Sequence, residues 1–133
     1  MRLQAKIALI TGGARGIGFA IATALARQGA VIAIADINPQ GANAAAAKLR
    51  EAGAQAHGFV VDVADPRSVE TLLKDVTTQL GRLDILINNA GIGGNTPFLD
   101  ITLENWNRTI AINLTGAFIV AQACARRMVA QGH

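Results

Sequence analysis

The sequence predicts a parallel α/β sheet, doubly wound with helices on both faces, in the strand order 3-2-1-4. Three observations carry that expectation. Short apolar runs alternate with stretches of helical periodicity in the order β-α-β-α-β-α-β-α, joined by short links. The first run enters the first helix through a glycine cluster, Thr11-Gly12-Gly13-Ala14-Arg15-Gly16-Ile17-Gly18. Polar residues, Thr11, Asp36, Asp62 and Asn88, close the four runs at the carboxyl ends, where such sheets bind ligands.

Ile7-Ala8-Leu9-Ile10 is the first strand, and Phe19–Ala26 is the helix behind the glycines. The second strand, Ala30–Ala35, ends in Asp36. Asn38 caps the next helix and Pro39 takes a first-turn position that needs no N–H. That helix runs through Gly41–Arg50 and stops near Ala52-Gly53. Low complexity is the competing reading of Ala44–Ala47, but alanine is the best helix former and a helix between two strands accounts for it better. Ala54–Asp62 reads as the third strand. Asp65-Pro66 opens a helix with Val69, Leu72, Leu73, Val76 and Leu80 on one face, ended by Gly81.

Leu83–Ile87 is the fourth strand, closing in Asn88-Asn89-Ala90-Gly91 and a glycine-rich loop through Asn95-Thr96-Pro97. Thr102–Gln131 then reads as one long helix, with Gly132 near its end. Its inward stripe is Trp106, Ile110, Leu114, Ala117, Val120, Ala121, Cys124 and Met128.

Composition narrows the function. The 133 residues suit one domain, 1–133. At 51% hydrophobic and 16% charged, the chain suits a sheet covered on both faces, or one that buries surface against a partner. The net charge is +3, but the bases are scattered and aromatics are few, so no nucleic-acid stripe is present. A single cysteine, Cys124, excludes an intramolecular disulfide and a cysteine metal cluster. His57 has no carboxylate at metal spacing and His133 is terminal, so no metal site is expected. Cys124 and Trp106 read as packing residues. The lone cysteine, the lack of room for a signal peptide before the first strand and the lack of an apolar run of membrane length predict a cytoplasmic protein without a membrane partner.

The glycine turn carries the first functional reading. A strand that turns sharply into a helix leaves the first N–H groups of the helix unpaired, and the helix dipole favours an anion there. Gly12 can adopt turn geometry closed to other residues, Gly16 can admit a pyrophosphate to the backbone, and Gly18 can let helix and strand approach. Ordinary turns use glycines as well. The strand before, the helix after and an acid, Asp36, ~20 residues further on favour a dinucleotide, whose ribose hydroxyls the carboxylate can accept.

Thr-Gly-x-x-x-Gly-Ile-Gly at Thr11–Gly18 and the Asn88-Asn89-Ala90-Gly91 segment resemble the short-chain dehydrogenase/reductase family. The resemblance spans the whole chain but only about half of that family's Rossmann-type fold. It implies that Gly12, Arg15, Gly16, Ile17 and Gly18 form a phosphate cradle and that Asp36 holds the adenosine ribose. It also implies adenine contacts from the Asp62 side chain and the Val63 backbone, and a cofactor ribose lying against Asn89, Ala90 and Gly91. Asn113 would be a catalytic residue that holds a water in a proton relay. Each has a plainer rival: Asp62 as the cap of the following helix, the two asparagines as ties between strand ends, and Asn113 as a satisfied amide on the inner helix face.

Asp36 repels a 2′-phosphate and argues for NAD, whereas the Arg15 guanidinium can bind that phosphate, so NADP stays open. The resemblance implies hydride transfer between a nicotinamide and a small alcohol/carbonyl substrate, in a homo-oligomer formed through the Thr102–Gln131 helix. The family's chemistry uses a Tyr-x-x-x-Lys pair and a serine, and this sequence has no tyrosine. Activity is therefore expected of a complete protein with a C-terminal half beyond this chain. Two alternatives remain: a non-catalytic dinucleotide-binding module, and a truncated, inactive fragment.

Overall fold

The computed structural model describes residues 1–132. His133 therefore lies outside the described residues. Strands β1 (Ile7–Thr11), β2 (Val31–Asp36), β3 (Ala56–Val60) and β4 (Ile85–Ile87) form one parallel sheet in the order β3-β2-β1-β4. This is the architecture and strand order that the alternation of elements predicts. Helices α1 (Gly16–Arg27), α2 (Pro39–Glu51) and α3 (Pro66–Leu80) connect the strands. Beyond β4 come a 3-10 turn at Phe98–Asp100, then α4 (Leu103–Ile110), a π-helical turn at Ala111–Gly116 and α5 (Ala117–Ala130).

The period-2 alternation of each strand divides its side chains between two cores. On one face Ala8 and Ile10 of β1 join Ile32 and Ile34 of β2 beneath α1 and α2, with Ala22, Ala42, Ala46 and Leu49. On the other, Leu9, Ala33 and Ala35 meet Val69, Leu72, Leu73 and Val76 of α3, with Val120 and Cys124 of α5. The alanine-rich segment is a working helix: Ala42, Ala45 and Ala46 are buried, and their small side chains bring α2 close to the sheet. Cys124 packs in the second core, where burial pushes its thiol up to about 12.

Several boundaries differ from the sequence expectation. The first helix begins at Gly16 rather than Phe19, so the last glycines of the turn lie inside its first turn. The third strand is shorter than Ala54–Asp62: the Ala54 N–H closes the end of α2 on the Leu49 carbonyl, and the Asp62 N–H donates to Ser68 Oγ instead of a strand. The fourth strand loses Leu83, whose N–H donates to Gln131 Oε1.

The largest difference lies in the last helix. Of its expected inward stripe, Val120 and Cys124 are buried and Ile110, Ala117 and Met128 half-buried, but Trp106, Leu114 and Ala121 are exposed. A strict 3.6-residue count misses the π turn, which adds a residue and rotates everything beyond it by about 100° relative to α4. The helical stretch Leu103–Ala130, 28 residues, is also long and apolar enough by length and composition to cross a membrane. An unbroken apolar run was the wrong test, because here apolar residues are mixed with neutral Thr, Asn, Gln and Gly. In this fold its second part, α5, packs on the core through Val120 and Cys124. Asn88 Nδ2 donates to the Ala117 carbonyl at 2.7 Å, and Arg127 pairs with Glu70 of α3 at 2.6 Å.

Asp84 fastens β4 to β1 at the amino end of the sheet. Its Oδ2 accepts the Ile7 N–H at 2.9 Å, and its own N–H donates to the Ile7 carbonyl at 3.0 Å. Arg82 and Lys6 both pair with its other oxygen, and the side chain is 2% exposed. Burial raises the carboxyl pKa, but the Ile7 N–H, Arg82 and Lys6 together outweigh burial and hold it below the ordinary 3.8. A depressed carboxyl stabilises the fold fully above its unfolded pKa and loses that contribution as pH falls through the folded value. Asp84→Asn should thus be less stable than wild type near neutrality, with the gap narrowing in urea unfolding as pH falls below the ordinary carboxyl value of 3.8. A gap independent of pH would refute the assignment.

Candidate functional site

The carboxyl ends of β1 and β4 meet at one hydroxyl. Thr11, fully buried, accepts the Asn89 N–H at 3.1 Å and the Ala90 N–H at 3.0 Å through Oγ1, which donates to the Ile87 carbonyl at 3.5 Å. Asn89 returns the connection, its Nδ2 donating to the Thr11 and Gly12 carbonyls at 3.1 and 3.2 Å. The glycine turn and the Asn88–Gly91 segment are therefore one rigid unit. Here the plainer reading of Asn89, a tie between strand ends, describes its side chain.

Within that unit the glycines have distinct reasons. Gly12 has φ +63°, and a Cβ on it would come within 2.9 Å of Ala90 Cα. A Cβ on Gly18 would stand 2.5 Å from the Gly12 carbonyl oxygen and 2.6 Å from Asn89 Nδ2, so Gly18 allows the helix to lie against the turn. Gly16, at φ +58°, faces open space. That space is the cleft.

The cleft is about 660 Å³, within the range of small-molecule sites. Gly12, Arg15, Gly16, Ile17, Asp36, Asp62, Val63, Asn89, Ala90 and Gly91 all line it. Of the residues that the sequence nominates around a cofactor, Gly18 stands behind this lining as a packing residue. The structure adds lining residues with no motif of their own, Ile92, Arg108 and Ile112. Arg108 and Ile112 stand four residues apart, a spacing that puts them on one helix face, but nothing in the sequence ties that face to the cleft.

The floor of the cleft is the start of α1. Its N-cap, Arg15, is extended (φ −156°, ψ 174°), offers no side-chain cap, and no acid lies in the first turn. By contrast Asn38, Asp65 and Thr102 cap α2, α3 and α4 with their side chains. The first N–H groups of α1 thus face the cleft with the positive end of the helix dipole. Across from them, Asp36 is held by the Ala14 N–H on Oδ2 and the Asn38 N–H on Oδ1, each at 3.2 Å. Arg15 is exposed and makes no ion pair within 4.0 Å among the described residues, so its charge and that of Asp36 line the cleft separately. Asp62 Oδ1 accepts the Ala64 N–H at 3.0 Å, a local turn that orients the carboxylate. It does not cap α3, which Asp65 does.

Asn113 sits inside the π turn and is exposed, which corrects its expected place on a buried helix face. Both ends of its amide are engaged. Ile92 N–H donates to Oδ1 at 2.8 Å, and Nδ2 donates to the Ile92 carbonyl at 2.7 Å. Its side chain therefore clamps the loop after Gly91. Among the described residues no group of three or more His, Cys, Asp and Glu is placed to hold a metal ion.

The short chain dehydrogenase family model matches residues 6–133. The chain belongs to the short-chain dehydrogenase/reductase family. It is 46% identical over 131 residues to D-threitol dehydrogenase of Mycolicibacterium smegmatis, covering 98% of this chain and 50% of that protein. It is 46% identical over 132 residues to sorbitol dehydrogenase of Cereibacter sphaeroides, covering 99% and 50%. A crystal structure of a short-chain dehydrogenase/reductase from Mycobacterium marinum superposes with a TM-score of 0.93 at 40% identity, covering 98% of this chain and 51% of that one. The chain spans about half the length of the curated relatives it matches. Family members are oxidoreductases that use NAD(P)(H), and the glycine-turn and Asn-Asn-Ala-Gly resemblance read from the sequence is to this same family.

Thr11→Val keeps the side-chain shape but leaves the Asn89 and Ala90 N–H groups without their acceptor. It should cost about 1–3 kcal/mol in urea unfolding, whereas an unaltered midpoint would show that the hydroxyl is not the hub. Gly18→Ala should destabilise by a similar amount, about 1–3 kcal/mol, through overpacking.

Proposed function

We propose that this chain is the cofactor-binding half of an NAD-dependent short-chain dehydrogenase that interconverts a hydroxyl and a carbonyl on a small substrate. The observation that carries this reading is the uncapped start of α1 opening into a cleft with a fixed carboxylate, Asp36, on its far side. Those features fit a dinucleotide: an anion at the helix start, and ribose hydroxyls at the carboxylate. Gly16 leaves the space that a pyrophosphate needs, since nothing lies within 4 Å of a Cβ placed there. When bound, the nicotinamide ring supplies or accepts a hydride.

The residues then take these parts. Gly12, Gly16, Ile17 and the first N–H groups of α1 bind the phosphates. Asp36 accepts from the adenosine ribose and, by charge, disfavours a 2′-phosphate. Arg15, with no carboxylate partner among the described residues, gives NADP some hold, so the preference is for NAD without strict exclusion. Asp62 and Val63 border the adenine, and Ala90 and Gly91 border the second ribose. Asn113 keeps the Ile92 loop in position through its amide. A water in the proton relay would therefore be held by the backbone carbonyls of the widened π turn rather than by that side chain.

The Tyr-x-x-x-Lys pair and serine of the family belong to residues outside these 133, so the activity is that of the longer protein. The names of two of the more similar relatives, a threitol and a sorbitol dehydrogenase, favour a polyhydroxylated substrate. Exposed Leu114 and Phe118 support a homo-oligomer formed through the helix at 102–131. A cytoplasmic enzyme with no membrane or nucleic-acid partner goes with this chemistry.

Calorimetric titration with NAD tests the reading. Gly16→Val should abolish binding while the helix content is kept, and retained affinity would mean that the turn has been misread. Asp36→Ala should shrink the NAD-over-NADP preference by about tenfold or more, the effect of losing one charge-assisted hydrogen bond and its repulsion. An unchanged ratio would remove Asp36 from cofactor selection.

A further inference from the structure

Gly116 is the one buried residue of the π turn, and it closes against a wall of the cofactor cleft. A Cβ on it would stand 2.8 Å from Val63 Cγ2 and 3.2 Å from both the carbonyl carbon and the carbonyl oxygen of Val63. Its backbone is ordinary right-handed helix (φ −61°, ψ −42°), where glycine weakens the element. Conformation therefore does not call for a glycine at this position; the close approach to Val63 does.

Val63 is the other half of the contact. It lines the cleft beside Asp62, and its N–H has no hydrogen-bond partner among the described residues. Asp62 Oδ1 accepts the Ala64 N–H, which leaves Oδ2 to accept from a ligand. A free N–H next to a carboxylate oxygen matches the edge of adenine, which sets a ring-nitrogen acceptor beside an amino group.

The helix is held against this contact from behind. The carbonyl of the next residue, Ala117, accepts from Asn88 Nδ2 at 2.7 Å, and Val120, one turn on, is buried with Cys124 in the core. A side chain at position 116 is therefore accommodated by displacing Val63.

We infer that Gly116 is a positioning residue for the base of the cofactor: its missing side chain lets the Val63 backbone sit where it and Asp62 read the adenine together. This rests on the cleft being the dinucleotide site, and it adds to that reading a residue that does not itself line the cleft. Through Asn113 the same turn holds Ile92, so one short segment supports two walls of the cleft.

The experiment titrates wild type, Gly116→Ala and the Gly116→Ala/Val63→Ala double variant by calorimetry. The ligands are NAD, AMP and nicotinamide hypoxanthine dinucleotide, whose base carries a proton on that ring nitrogen and a carbonyl in place of the amino group. Circular dichroism checks that each protein is folded at the titration temperature. Gly116→Ala should weaken NAD and AMP alike by about tenfold, the fold-change of one hydrogen bond. It should also narrow the preference for NAD over the hypoxanthine dinucleotide, which a general loss of folded structure would leave constant. The double variant lacks Cγ2, the nearest obstacle, and should recover part of both. In wild type, AMP should slow amide hydrogen exchange at residues 114–117, which do not line the cleft. That last measurement needs no variant and decides the matter if Gly116→Ala does not fold.

Unchanged NAD and AMP affinities in Gly116→Ala overturn the inference, as does an equal loss for the two dinucleotides. So does a double variant no better than Gly116→Ala, or unaltered exchange at residues 114–117 with AMP bound. A wild type that binds neither NAD nor AMP sinks the cofactor reading and this inference with it. A wild type that binds both, with Gly116→Ala its equal, sinks this inference alone.

Discussion

The Thr11 hydroxyl is the constraint on which the cleft depends. One oxygen joins the carboxyl ends of β1 and β4 by accepting two N–H groups from Asn89 and Ala90. It is fully buried, so water cannot replace either bond. The reciprocal bonds of Asn89 to the Thr11 and Gly12 carbonyls lock the glycine turn at the same time. With those ends fixed, the start of α1, the carboxylate of Asp36 and the backbone of Ala90 and Gly91 can only face one another. This side of the cleft is thus set by the sheet, and the loop at Ile92, held by Asn113, completes its wall.

Electrostatics follow the same economy. Nearly every helix start in the chain is satisfied by its own side chain, or continues from the helix before it. Among the described α-helices the start of α1 is the exception, and it is the one that opens into the cleft. A capping residue at position 15 would stabilise the isolated helix by about 1 kcal/mol. An exposed arginine stands there instead, and the N–H groups stay available. Asp84 at the other end of the sheet is the contrast: its carboxylate is buried and engaged by the Ile7 N–H, Arg82 and Lys6.

Much of this was legible in the sequence because it rests on local rules. Strand runs, caps such as Asn38 and Asp65, and terminators such as Gly81 are all dictated by neighbouring residues, and the strand order followed from crossover handedness. The gathering of Gly12, Arg15, Gly16, Ile17, Asp36, Asp62, Val63 and the Asn89–Gly91 segment around one cleft was expected from the family resemblance, and for Asp36 and Asp62 also from their places at strand ends. What could not be read depends on contacts distant in the chain. The shortened β3 reflects the Ser68 hydroxyl taking the Asp62 N–H, and the shortened β4 reflects Gln131 taking that of Leu83. Asn113 was legible as a polar residue in an apolar helix, but its grip on Ile92 was not. Arg108 carries no motif, and only the folded helix brings it to the cleft.

The π turn at Ala111–Gly116 makes the last helix serve two masters. Ahead of it, α4 has no buried residue, and within it Asn113 holds the loop at Ile92. Beyond it, α5 is answerable to α3 through Val120 and Cys124. A uniform α-helix has a single phase and could satisfy only one of these at a time. The extra residue works as a gear tooth between two wheels, setting their relative angle by integer count rather than by flexibility. Length changes within that turn are therefore a different kind of event from substitutions: each one resets the loop against the core by a whole residue's rotation.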